Sequence, residues 1–110
     1  MIELSVLNKL IDKETELLDR ENPPFQTNEE VYDAISPELK KLLEDVEQIA
    51  WLMRYDIPKC IRKEEAISPT LISLDAYAGR VAQIAIQISA ICMRAILMDE
   101  NADGERKIDD

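Results

Sequence analysis

From Val81 to Met98, 18 residues pass with Arg94 as the only charged side chain. No other stretch limits the fold of this chain so strongly. At 100° per residue, Tyr77, Val81, Ile84, Ile88, Ile91, Ala95 and Met98 form a row of large side chains, and Ala78, Ala82, Ala85, Ser89 and Cys92 form a neighbouring row of small ones. A third row adds Ile86, Ala90, Met93 and Leu97. Apolar surface therefore covers more than half of the circumference and leaves a narrow polar strip of Arg80, Gln83, Gln87 and Arg94. Two environments suit such a helix. A bilayer is one, because the run approaches the length of a membrane span. A buried position in a helical bundle is the other, favoured by Gln83, Gln87, Ser89 and the share of the apolar count that alanine supplies.

Three neighbouring helices in a chain of 110 residues can hardly cover so much apolar surface, whereas a second subunit can, and the row of small residues permits close approach. The expectation is a homo-oligomer with Val81, Ile84, Ile88 and Ile91 at its interface, and the alternative is a monomer built around this helix. Beyond Asp99 the acidic segment 99–110 has no apolar period and reads as a frayed, flexible tail on a single helical domain, residues 1–98.

Helical periodicity extends through the remainder. Leu4, Leu7, Ile11 and Leu18, with Leu10 and Leu17 beside them, give the segment from Ile2 to Arg20 an apolar face that Asn22, Pro23 and Pro24 end. Thr27 followed by Glu30 has the spacing of a capping box, so a short helix restarts there. Ile35-Ser36-Pro37 and Ile67-Ser68-Pro69 share a serine cap with proline in the first turn, each followed by two leucines. Their 32-residue separation raises an internal duplication, against convergent use of the same capping chemistry. Two long helices are predicted, about residues 36–55 and 68–98, with residues 56–66 as an irregular connection around Pro58. Leu39, Leu42, Leu43, Val46, Ile49, Ala50 and Met53 form a heptad-like seam on the first, while Trp51 and Tyr55 fall off it and imply a second contact surface. The predicted fold class is all-α: a bundle of three to four helices, two of them long, completed by oligomerisation.

Composition removes many functions. Acidic residues outnumber basic ones 23 to 13, for a formal charge of −10, which repels a phosphate backbone, so no direct nucleic-acid binding is expected. The chain has no histidine, hence no histidine-based triad, general base or zinc site. Gly79 and Gly104 are its two glycines and build no phosphate-cradling loop. Cys60 and Cys92 lack CxxC or metal-ligand spacing and read as reduced thiols, and the first ten residues, with an acid at position 3, do not read as a signal peptide. A cytoplasmic location without membrane attachment is expected.

Carboxylates are the abundant reactive groups that remain, and Mg²⁺ or Mn²⁺ takes oxygen ligands at helical spacing. Glu44, Asp45 and Glu47 offer such a cluster, and Asp75 reaches its level if the two long helices pair antiparallel. The alternative is that these acids are the solvated face of an amphipathic helix. Leu43-Glu44-Asp45-Val46-Glu47-Gln48-Ile49-Ala50 resembles the helix of MazG-like, all-α nucleoside triphosphate pyrophosphohydrolases, in which an E-E-x-x-E pattern precedes an apolar stretch. Val81-Ala82-Gln83-Ile84-Ala85-Ile86 is similar to the second core helix of small phage-type relatives. The resemblance implies acids from both helices holding a divalent metal against a triphosphate. Glu44 and Asp45 match the paired acids, but Gln48 stands at the third, with Glu47 one place early, and Arg80 and Gln83 stand where acids are wanted on the second helix.

Three functional expectations follow. The leading one is a self-associating protein-interaction module without catalysis or cofactor, binding a protein partner around Trp51 and Tyr55. The second is a Mg²⁺-dependent pyrophosphohydrolase of the MazG-like type. The third is an acidic mimic of nucleic acid that occupies a basic site on a DNA-binding protein.

Overall fold

The computed structural model describes the backbone of residues 1–108 and the side chains of residues 1–99. Among the described residues every regular element is helical: α1 is Leu4–Glu21, α2 is Asn28–Trp51, a π-helical turn spans Leu52–Asp56, α3 is Ile57–Lys63 and α4 is Ser68–Ile108. The all-α class read from periodicity is the one observed. Asp109 and Asp110 lie outside the described residues, and the rest of the segment expected as a frayed tail carries helical backbone.

The cap expected at Thr27 forms, with its return arm one residue early. The Glu30 amide donates to Thr27 Oγ1 at 3.2 Å, and Glu30 Oε2 reaches back to accept from the Gln26 amide at 2.7 Å. The helix started there does not stop at Ser36-Pro37, where a separate start was predicted, but continues through Pro37 to Trp51. Proline deprives the carbonyl four residues earlier of its donor. Both Pro37 and Asp33 are exposed, which leaves that carbonyl open to water, while Ala34, Ile35 and Ser36 are half-buried and hold the turn.

A second proline explains the π turn. Pro58, near the start of α3, has no N–H to give to the carbonyl of Arg54, and its ring crowds that position. The wider turn, with the Ile57 amide donating to the Leu52 carbonyl, moves the backbone aside and lets helical structure continue where an irregular connection was expected. Glu64 then ends α3 in the left-handed region, φ 52° and ψ 33°. Its amide donates to Ile61 O at 3.4 Å and that of Glu65 to Cys60 O at 3.0 Å, the two bonds of a Schellman motif built without glycine.

By packing, the chain divides into two compact units, Met1–Glu38 with Ile86–Asp110, and Leu39–Ala85. In the first, Leu7, Ile11 and Leu18 of α1 turn inward with Phe25, Val31 and Ala34, around buried Ala90, Ile91 and Arg94 of α4. Leu4, Leu10 and Leu17, predicted on or beside the buried face of α1, are exposed. In the second, Leu42, Asp45, Ile49 and Leu52 form the inward row of α2 and the π turn, packed with Cys60, Thr70, Tyr77, Val81 and Ile84. No large side chain among the described residues is fully buried.

Candidate functional site

The four carboxylates proposed as metal ligands are placed differently from one another. Glu44, Glu47 and Asp75 are exposed, whereas Asp45 is 4% exposed on the inward row of α2. Among the described residues no three cysteine, aspartate or glutamate side chains come together to hold an ion. The neighbour of Asp45 is instead Arg80, whose Nε lies 3.3 Å from Asp45 Oδ2 without hydrogen-bond geometry. Arg80 is itself 62% exposed and rests beside the Tyr77 ring, 5.9 Å from its centroid. It thus covers the buried carboxyl group from the solvent side, and a guanidinium stands where the MazG-like expectation calls for another carboxylate.

The first unit repeats this device with the charges exchanged. Arg94 is the buried member, its side chain 3% exposed, and its Nε donates to Asp19 Oδ1 at 2.7 Å, with Asp19 60% exposed. A further donor of the same guanidinium reaches the Pro23 carbonyl at 3.1 Å, and the group stacks over Phe25 at 4.7 Å from the ring centroid. Arginine suits this place because its planar fork serves two acceptors and an aromatic face at once. Periodicity places Arg94 in a polar strip; it is the one charged side chain between Val81 and Met98, and the structure matches it from another element. An open pocket of about 460 Å³ lies against this cluster, lined by Leu18, Phe25, Ala34, Gln87, Ile91 and Arg94 among others.

Thr70, near the start of α4, is 6% exposed and donates to Asp56 Oδ2 at 2.6 Å, with Cys60 Sγ at 3.8 Å from the same hydroxyl. The contact ties the start of α4 to the end of the π turn. Neither cysteine is in a disulfide.

The residues expected at an interface separate into two groups. Ile84 and Ile91 are buried within the chain itself, and Val81 and Ile88 are half-buried, so the large-residue row of α4 faces inward. Trp51 and Tyr55 are 52% and 59% exposed, with ring centroids 6.0 Å apart and planes tilted by 50°. Trp51, the last residue of α2, lies off the inward row by ordinary helical periodicity, whereas Tyr55 lies inside the π turn, whose extra residue per turn shifts the phase of the helix.

Periodicity also missed which side of the α2 seam would be covered. Leu42, Ile49 and Leu52 face inward with Asp45, while Leu39, Leu43, Val46 and Met53 remain exposed, with half-buried Ala50 among them. These five recur at alternating intervals of four and three residues, the spacing of a helix seam that packs on another helix. The segment Ser68–Asp99 of α4 is long and apolar enough to cross a membrane by length and composition, a test that the core helix of a soluble protein also passes. No protein-family model, no curated protein and no solved structure matches this chain.

Proposed function

We propose that this chain is a cytosolic helical module that self-associates and docks a protein partner, without catalysis. The observation that carries the reading is the exposed apolar surface of α2 and the π turn: Leu39, Leu43, Val46, Trp51, Met53 and Tyr55 are all more than two-fifths solvent-accessible. Large apolar side chains exposed in number along one helix are a mark of a protein contact, and tryptophan and tyrosine are the residues on which binding energy concentrates. The carboxylates provide further support, since the only buried one of the four is matched to Arg80 while the rest are exposed. Two unpaired cysteines suit a reducing compartment.

Light scattering tests self-association, and the emission of Trp51, the one tryptophan, reports whether its surface becomes covered. Assembly is expected at tens of micromolar, an approximate scale for specific oligomers. A chain that stays monomeric there refutes self-association. The hydrolase reading has its own assay. Mg²⁺ or Mn²⁺ bound to Glu44, Glu47 and Asp75 would raise the melting temperature, and pyrophosphate would be released from nucleoside triphosphates and not by Glu44→Gln. Neither effect is expected; both together would replace the interaction module by an enzyme.

A further inference from the structure

Leu39, Leu43, Val46, Ala50 and Met53 are exposed or half-exposed on one face of α2 at heptad spacing, and the inward residues Leu42 and Ile49 border that face on one side. On its other side stand Lys40 and Glu47, seven residues apart and both exposed, with exposed Arg54 seven residues further on inside the π turn. Seam and borders together have the layout of one strand of a coiled coil, with charge on one flank only.

We infer that the occupant of this face is the α2 helix of a second copy of the chain, lying antiparallel to the first about a two-fold axis that passes between Glu44 and Asp45. The inference rests on the self-association reading and names its surface. A two-fold contact must be self-complementary, and in this register the four seam residues within α2 pair apolar with apolar, while Met53, already in the π turn, falls opposite the partner's half-buried Ser36. Leu43 faces the partner's Val46, and Leu39 faces the partner's Ala50, each occurring twice. On the inner flank Leu42 meets the partner's Ile49. On the outer flank Lys40 meets the partner's Glu47, again twice, so opposite charges coincide where the apolar layers coincide.

Other arrangements lose one of these matches. Moving the axis by half a heptad towards the C-terminus sets Glu47 against the partner's Glu47 and Lys40 against the partner's Arg54. Moving it the same distance towards the N-terminus sets Lys40 against the partner's Lys40. A full heptad towards the C-terminus restores a pair, Glu47 with the partner's Arg54, but leaves Leu39 and Leu43 uncovered and runs the seam into the π turn at Leu52–Asp56, where heptad phase is lost. A parallel pair would set Glu47 beside the partner's Leu42 or Ile49, because in parallel coiled coils each flank faces the opposite flank of the partner.

Charge reversal distinguishes these arrangements without touching the apolar layers. Lys40 and Glu47 are exposed on a helix, and helical circular dichroism monitors that each variant keeps its fold. The dimer dissociation constant is measured by sedimentation equilibrium for the wild type, Lys40→Glu, Glu47→Lys and the double reversal. Each single change replaces two attractions by two repulsions, and is expected to raise the constant about tenfold, equivalent to about 1.4 kcal/mol. The double reversal, which recreates both pairs with their signs exchanged, is expected to return it to within about twofold of wild type. A wild type that is monomeric overturns the self-association reading together with this one. A wild-type dimer indifferent to the single reversals overturns the α2 seam alone and leaves self-association standing, and so does a double reversal that fails to recover.

Discussion

Removing Asp19 should destabilise this protein more than removing Arg94, although the two are partners in one ion pair. The asymmetry follows from where each charge resides, since the Arg94 side chain is 3% exposed and that of Asp19 is 60% exposed. In Arg94→Met an apolar chain of similar length fills the space, Asp19 returns to water it already touches, and the Pro23 carbonyl loses one donor. The hydrogen bonds contribute about 1 kcal/mol each, discounted for the solvated partner. The Phe25 contact adds about 0.5–1 kcal/mol. Against this, the buried methionine recovers apolar burial, and a net loss of about 1–2 kcal/mol is expected.

Asp19→Ala leaves the guanidinium where it is, facing the Pro23 carbonyl and the Phe25 ring but with no counter-charge. Breaking a buried pair from one side costs about 3–5 kcal/mol, and the lower end applies because the site opens to water where Asp19 stood. Urea denaturation followed by circular dichroism measures both losses at one fixed protein concentration, so that self-association does not enter the comparison. Asp19→Asn, which keeps an acceptor for the Arg94 Nε but no charge, should fall between the two. If Arg94→Met proves the more damaging variant, Arg94 is not a buried charge that depends on Asp19, and the reasoning fails.

The same logic with the signs exchanged applies to Asp45 and Arg80: Arg80→Ala strands a carboxylate that is 4% exposed and should destabilise by about 2–3 kcal/mol, while Asp45→Leu, which completes an apolar row with Leu42, Ile49 and Leu52, should be near neutral in urea titration. Thr70→Val removes the donor to Asp56 Oδ2 and should lower stability by about 1.5–2 kcal/mol, with Thr70→Ser recovering most of it. Glu64→Gly relieves a side chain held at φ 52° and should raise stability by about 0.5–1 kcal/mol, read as an upward shift of the melting temperature.

How far the sequence could be read is clearest at the prolines. Pro23 and Pro24 follow the end of α1 at Glu21, as their missing donors predict. The same chemistry at Pro37 and Pro58 ends nothing, since one lies in a helix exposed on that side and the other is absorbed by a π turn. Local propensity cannot see either compensation, because both depend on what packs beside the turn. Heptad spacing located the α2 seam but treated its two sides alike; which side faces inward depends on where α3 and α4 fold back, and the sequence carries no marker of it. Asp45 shows the limit best. As the middle member of an acidic trio it reads as a metal ligand, yet it also stands in the row of Leu42, Ile49 and Leu52, and that row rather than the trio determines its surroundings. The buried position of Arg94 is the more accessible inference, since the one charge within the apolar run 81–98 must be matched from another element if that run is buried.

That requirement bears on whether α4 belongs in a bilayer. By length and composition Ser68–Asp99 qualifies, but its two arginines are matched to Asp45 of α2 and Asp19 of α1. Those helices display Asp12, Lys13, Glu16, Arg20, Lys40, Glu44 and Glu47 to solvent. Inserting α4 alone would strip both pairs and place each arginine in hydrocarbon at about 2.5–3.5 kcal/mol or more. Inserting it with its partners would carry their charged faces in as well. Packing within the chain already covers Ile84, Ala90 and Ile91 of α4 and keeps both pairs intact. Flotation with neutral phosphatidylcholine vesicles tests the choice. The wild type should remain at the bottom of the gradient, and Arg80→Leu combined with Arg94→Leu should increase the floating fraction. Flotation of the wild type, with Ser68–Asp99 protected from protease in the lipid fraction, would show that the apolar girdle of α4 is matched to acyl chains and not to protein.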